Sequence, residues 1–251
     1  VSSRIDFIQI TDLHLDDPPT TLKSGRNTTE NLLKQVLSNI AFDETEFFIC
    51  TGDLAATPSI PAYKRLISIF KHIPLPIYCL PGNHDDPSLA VKSTQVSNLS
   101  WNKSITQKPW QIILLNSHQP NEVYGQLGYS ELTFLQTCLQ QHSSLHTLIC
   151  LHHQPVSIGS EWLDQHLIKD QQAFFNIIDK HPQVRGIIWG HIHQAFETRR
   201  DGIRLLGTPS TCTQFKPNSP HFAVDTLPPA YRRISLHLDG EITTNVVWCK
   251  N

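Results

Sequence analysis

The chain has 251 residues and a net charge of −2, so it offers no broad basic surface to hold a nucleic-acid duplex. No apolar run approaches the roughly 18 residues of a membrane span. The six cysteines form no CxxC pair, and Val1-Ser2-Ser3-Arg4 leads straight into a strand pattern, so a reduced, cytoplasmic protein with no membrane partner is expected.

The first expected strand, 5–10, ends in Thr11-Asp12-Leu13-His14. A helix follows over 29–41, with Leu32, Leu33, Val36, Leu37 and Ile40 on one face and Asn27 as its cap. The second strand, 46–50, ends in Thr51-Gly52-Asp53, and helix 60–72 turns Tyr63, Leu66, Ile67 and Phe70 inward. The third, 77–80, runs into Pro81-Gly82-Asn83-His84-Asp85. Beyond strand 111–115, Ser130 reads as the N-cap of a helix continuing through Leu135 and Leu139. Strand 147–151 ends in His152-His153-Gln154-Pro155. Helix 170–180 precedes strand 184–189, which ends in Gly190-His191-Ile192-His193.

Strands at 203–206, 232–238 and 241–248 close the chain, the last two joined by a two-residue Asp239-Gly240 hairpin. Between Gly207 and Pro229 lies a loop with five prolines, long enough to suggest a functional role. Strands alternating with helices imply an α/β fold with much parallel sheet. No linker or repeat interrupts it, so one domain spans 1–251, with its core at 5–206 and the loop and hairpin at 207–248. Trp101, Trp110 and Trp162 read as packing residues.

Five of these strands end in polar clusters, where α/β folds place their ligands. In the D-x-H and H-x-H pairs the side chains are two residues apart and, on extended backbone, point the same way. Turn chemistry explains Asn, Asp and Gly at strand ends but gives no reason for the histidines. Oxygen and imidazole donors without a thiolate suit Fe, Mn or Zn better than Mg or Ca.

The order D-x-H, G-D, G-N-H-D, H-H and G-H-x-H resembles the calcineurin-like metallophosphoesterases over 8–194. The stretches "LHHQPVSIGSEWLDQHL", "GHIHQAF" and "GTPSTCTQFKP" resemble the bacterial class III cyclic nucleotide phosphodiesterases within them. The resemblance implies a four-layer α/β/β/α sandwich with two mixed sheets. It implies two divalent ions, Fe or Mn with Zn as an alternative. Asp12, His14 and His193 would hold one ion and Asn83, His152 and His191 the other, with Asp53 bridging; whether His152 or His153 is the ligand stays open.

His84 would face the substrate phosphate and assist the leaving oxygen, and Asp85 would orient its ring. Asn83, His84 and His193 would also contact substrate. The implied reaction is hydrolysis of 3',5'-cyclic AMP to 5'-AMP by in-line attack of a metal-bound hydroxide, in a monomer or homodimer. Purine specificity is expected from 207–217, folding back across the strand ends. Alternatives are a broader phosphodiesterase or phosphatase, acting on glycerophosphodiesters or 2',3'-cyclic nucleotides, and a binding scaffold on the same fold.

Overall fold

The computed structural model describes residues 4–22, 27–95 and 97–249; Val1–Ser3 of the expected lead-in lie outside them. Two six-stranded sheets stack face to face. The first runs β12 (Ile242–Trp248), β11 (Ala230–His237), β1 (Arg4–Ile10), β2 (Phe47–Thr51), β3 (Ile77–Leu80), β4 (Leu99–Ser100). The second runs β5 (Ser104–Gln107), β6 (Trp110–Leu114), β7 (His146–Cys150), β8 (Val184–Trp189), β10 (Ile203–Gly207), β9 (Phe196–Arg200). The central strands are parallel in each sheet, and β11, β12, β5 and β9 pair antiparallel. Both sheets are therefore mixed, as expected.

The layering follows from strand alternation. In β1, Ile5 and Phe7 enter the core between the sheets, while Ile8 and Ile10 face helices on the outer side. In β7, Leu148 and Cys150 point between the sheets, and Ile149 and Leu151 point to the opposite helices. Strands buried on both faces read as continuous apolar runs, which is why the sequence shows them so clearly. Helices α1 (Thr29–Ser38) and α2 (Ile60–Phe70) pack on the first sheet through Leu33, Val36, Tyr63 and Leu66. Helices α4 (Gly128–Gln141) and α5 (Gln171–Ile178) cover the second through Leu135, Leu139, Phe174 and Ile178.

Several local expectations change. The Thr28 hydroxyl, not Asn27, caps α1, accepting the Asn31 N–H at 3.2 Å. Ser130 lies inside α4. The start of that helix is held from a distance by Asp170, whose carboxylate accepts the N–H of Leu127 at 3.1 Å and of Gly128 at 2.7 Å. Helix α3 (Pro87–Thr94) was not expected; Asp86 caps it and Pro87 occupies its first turn. Strand β9 was also unexpected, since its residues are largely exposed and polar. The β11–β12 turn covers 238–241, wider than a two-residue loop, with Gly240 at φ 89°.

The Asp170 contact gives a direct stability test. Asp170→Ala is expected to cost about 1–2 kcal/mol, the scale of a lost charged cap. Ser130→Ala is expected to stay within about 0.5 kcal/mol, as for an ordinary surface change. Thermal unfolding of the two variants checks this, with Tm falling only for Asp170→Ala.

Candidate active site

The polar ends of β1, β2 and β3 in one sheet meet those of β7 and β8 in the other. Their loops are stitched together by backbone: Asp12 N–H donates to Gly52 O at 3.0 Å, His14 N–H to Asp53 O at 2.9 Å and Gly190 N–H to His152 O at 3.1 Å. The Asp12 carboxylate accepts the His191 N–H at 3.0 Å, crossing from one sheet to the other. Gly52 takes φ 97°, and a Cβ there would lie 2.5 Å from His152 Nδ1. At Gly82 a Cβ would lie 2.1 Å from Asp53 Oδ1. These glycines let the backbone approach the site side chains closely.

Asp12, His14, Asp53, His191 and His193 all have φ between 46° and 63°. Left-handed backbone costs non-glycine residues about 1–3 kcal/mol each and concentrates at functional sites. Five such residues turn their side chains inward at one point. Nε2 of His193 lies 3.1 Å from Asp12 Oδ1 and 3.3 Å from His14 Nε2. Asp53 Oδ2 is 3.6 Å from His14 Nε2, and its Oδ1 is 3.4 Å from His152 Nε2. Asn83 Oδ1 lies 3.1 Å from His152 Nε2. The His191 ring stands edge-on to His152, with centroids 5.1 Å apart.

Four of the imidazoles are oriented from behind. His152 Nδ1 meets Thr51 O at 2.7 Å and His193 Nδ1 meets Thr213 O at 2.6 Å, so both turn Nε2 toward the centre. His84 Nδ1 meets Ala56 O at 2.9 Å, leaving its ring exposed at the rim. His153 is fully buried with Nδ1 on Ser117 Oγ at 2.8 Å, and its buried Nε2 has no hydrogen-bond partner among the described residues. His153 still shares a potential three-histidine donor group with His152 and His191.

The Asp85 carboxylate does not reach the His84 ring, contrary to the sequence expectation. It is enclosed by the N–H groups of Leu54, Ala55 and Gly82 and by the Tyr63 hydroxyl, at 2.9–3.2 Å. It thereby fixes the backbone on both sides of Asp53 and Asn83. Burial and the neighbouring Asp53 push its pKa up to about 6, against those donors.

Loop 207–217 packs back against the strand ends: Thr211 N–H donates to Thr11 O at 3.1 Å, and Thr208, Ser210, Thr211, Cys212 and Gln214 are buried. Ser210 Oγ donates to Asp12 O at 2.8 Å, and Phe215 stacks on His193 with ring centroids 4.1 Å apart. Replacing 211–215 with Gly-Ser residues is therefore expected to lower turnover of even a small aryl phosphodiester by roughly a hundredfold, the scale of a misplaced reacting group. Steady-state kinetics with methyl 4-nitrophenyl phosphate measure it.

Burial penalises charge on Asp53, but His152, His14 and His84 overcome this and hold its pKa well below the usual carboxylate range. Burial takes His14 down to about 4, leaving a neutral imidazole. Burial also opposes protonation of His152, yet Asp53 and Asp12 raise it to about 9. A cation held by His152 and Asp53 would take the place of that proton. The buried Nε2 of His191 has no hydrogen-bond partner among the described residues, an expensive state for a polar atom unless something binds there. Asp12, His14 and His193 form one donor group, and Asp53 joins two others. This donor set fits divalent metal ions.

A cavity of about 130 Å³ opens at the centre, lined by His14, Asp53, Asn83, His84, His191 and His193 together with Val123, Trp162, Leu163, His166 and Phe215. Sequence reasoning assigns no role to Val123, Leu163 or His166; Val123 stands in a segment without a motif, and Leu163 and His166 lie inside the stretch "LHHQPVSIGSEWLDQHL" without being singled out there. Trp162 packs with the second helical core as expected but also walls this cavity. Trp110 is fully buried between the sheets, and Trp101 packs on the first helical core with its indole N–H on Thr94.

Residues 5–195 match the family model described as calcineurin-like phosphoesterase. The chain belongs to this family. It is 37% identical to the 3',5'-cyclic adenosine monophosphate phosphodiesterase CpdA of Vibrio vulnificus over 249 residues, covering 96% of this chain and 89% of that one. The Escherichia coli protein of the same name is 37% identical over 247 residues, covering 97% and 90%. Among solved structures, a dimetal phosphatase from Danio rerio superposes with a TM-score of 0.67 at 14% identity, covering 99% of this chain and all of that one. That likeness concerns the calcineurin-like fold alone. No helix among the described residues is long and apolar enough to cross a membrane, and all six cysteines are free and buried.

Proposed function

We propose that this chain is a dinuclear metal phosphodiesterase that hydrolyses 3',5'-cyclic AMP to 5'-AMP. The observation that carries the reading is the extent of the likeness to the cyclic AMP phosphodiesterases. It covers 96% of the chain and so extends well beyond residue 195, where the match to the general family model stops. In this reading Asp12, His14 and His193 hold one ion, Asn83, His152 and His191 the other, and Asp53 lies between them. Fe and Mn suit these nitrogen and oxygen donors, with Zn as the alternative. Bound ions would neutralise the phosphate charge and make water a better nucleophile.

The chain's own residues supply positioning and the proton. The carbonyls of Thr51 and Thr213 keep His152 and His193 aimed inward. Water adds to phosphorus opposite O3', and the P–O3' bond breaks. His84, held at the rim by Ala56 O, gives its Nε2 proton to the departing O3'. The oxygen from water stays on the 5'-phosphate, and the proton that water sheds restores the one His84 gave up. Hydrolysis in ¹⁸O-enriched water is expected to yield 5'-AMP carrying the label on phosphorus, while release of 3'-AMP would exclude this polarity.

A further inference from the structure

The nucleoside half of a cyclic nucleotide needs more room than the histidine-lined cavity gives. That cavity is about 130 Å³ and is walled by Val123, Trp162, Leu163 and Phe215, whereas ligand pockets usually hold about 300–1,000 Å³. A second cleft of about 610 Å³ opens on the other side of His84. It shares Asn83 and His84 with the cavity, so the two are joined where the proposed function puts the phosphate.

Its walls come from three segments: 56–58 after β2, 86–88 at the start of α3, and 118–121 after β6. Ala56 O is the atom that holds the His84 ring, so the cleft begins directly behind the proton donor. Asp86 is rigidly presented: its N–H donates to the Tyr63 hydroxyl at 3.1 Å, and its Oδ1 accepts the Leu89 N–H at 2.9 Å. The other carboxylate oxygen is bonded to no group among the described residues and belongs to an exposed side chain. His118 is half-buried, with its backbone N–H fixed on Asn116 Oδ1 at 2.9 Å and its ring against the Asp85 carbonyl. An acceptor and an imidazole on one wall match what a nucleoside offers, amino and hydroxyl donors beside ring-nitrogen acceptors.

We propose that this cleft binds the nucleoside portion of the cyclic nucleotide, with Asp86 and His118 setting its affinity. The inference rests on the phosphodiesterase reading above and adds the direction in which the substrate lies. It runs away from the aromatic cluster of Trp162, Phe215 and Phe222 on the opposite side, although Phe222 is 61% exposed there. Neither wall residue belongs to the metal-donor set, so the subsite governs substrate binding separately from the ions.

The test compares cyclic AMP with methyl 4-nitrophenyl phosphate, a diester whose methyl group is too small to use the cleft. His118→Ala and Asp86→Asn, the latter retaining a capping side chain, are each expected to raise KM for cyclic AMP about tenfold, the scale of one lost hydrogen bond to a bound ligand. Metal content and kcat/KM for the methyl ester are expected to stay within about twofold of the parent, and Phe222→Ala is expected to leave both substrates unchanged. Equal losses on both substrates in both wall variants would overturn the subsite and make these residues supports of the metal site. A KM increase for cyclic AMP confined to Phe222→Ala would overturn it in favour of the aromatic side. Failure of the parent enzyme to turn over cyclic AMP, with the methyl ester still hydrolysed, would instead remove the phosphodiesterase reading and the subsite with it.

Discussion

Asp53→Asn is expected to abolish most turnover and to weaken both metal positions together. One oxygen of Asp53 lies 3.6 Å from His14 and the other 3.4 Å from His152, so the carboxylate faces both donor groups. Its Oδ1 also accepts the His84 N–H at 2.9 Å, tying the rim residue to the same centre. An asparagine keeps the shape but removes the negative charge and turns a donor NH₂ toward one imidazole or the other. The expected fall in kcat is at least about 10²-fold, as for loss of one charge-stabilising group. Metal analysis after gel filtration is expected to show losses from both positions, whereas Asn83→Ala loses one ion. Two ions retained with near-normal turnover would show that Asp53 does not bridge.

His84→Ala is expected to behave in the opposite way, keeping both ions and losing chemistry. Its ring sits edge-on to His14 with centroids 4.8 Å apart, on the exposed side of the site. Geometry alone also allows His84 into a donor group with His14 and Asp53, so the variant separates two roles. A proton donor predicts kcat lower by about 10²–10⁴-fold, with metal content unchanged. The loss should shrink for an aryl ester, because a nitrophenolate leaves without needing a proton. Loss of an ion as complete as in Asn83→Ala would make His84 a ligand instead.

The sequence exposed the candidate metal donors because they are side chains that stand at the ends of apolar runs. Asp12, Asp53, Asn83, His152, His191 and His193 each follow a strand whose two buried faces leave it continuously hydrophobic. What supports them was harder to read. Thr51, Ala56 and Thr213 act through backbone carbonyls, which any residue type supplies, so no motif marks them. Asp85 looked like the partner of the adjacent His84, but the tight turn at Gly82 directs its carboxylate inward to Leu54 and Ala55. Adjacency in sequence was a poor guide there because successive side chains in a turn diverge.

The support inside loop 207–217 was hidden for a related reason. Its prolines signalled an irregular course, but not that Ser210 and Gln214 satisfy each other's polar groups and let an irregular segment be buried. Helix α3 had a visible signature, Asp86 before Pro87, which the chemistry of the preceding Asn83-His84 overshadowed. The exposed face of β9 carries no alternation to detect. The aspartate that holds the start of α4 lies more than forty residues away in sequence, beyond any local capping rule.

The most direct measurement of the central claim is a kinetic comparison of 3',5'-cyclic AMP, 2',3'-cyclic AMP and a phosphomonoester on enzyme stripped by a strong chelator and reloaded with Mn²⁺ or Fe²⁺. The account predicts no turnover after stripping, recovery on reloading, and kcat/KM highest for 3',5'-cyclic AMP with 5'-AMP as product. Reloaded enzyme that leaves 3',5'-cyclic AMP intact while hydrolysing either of the other two would contradict it.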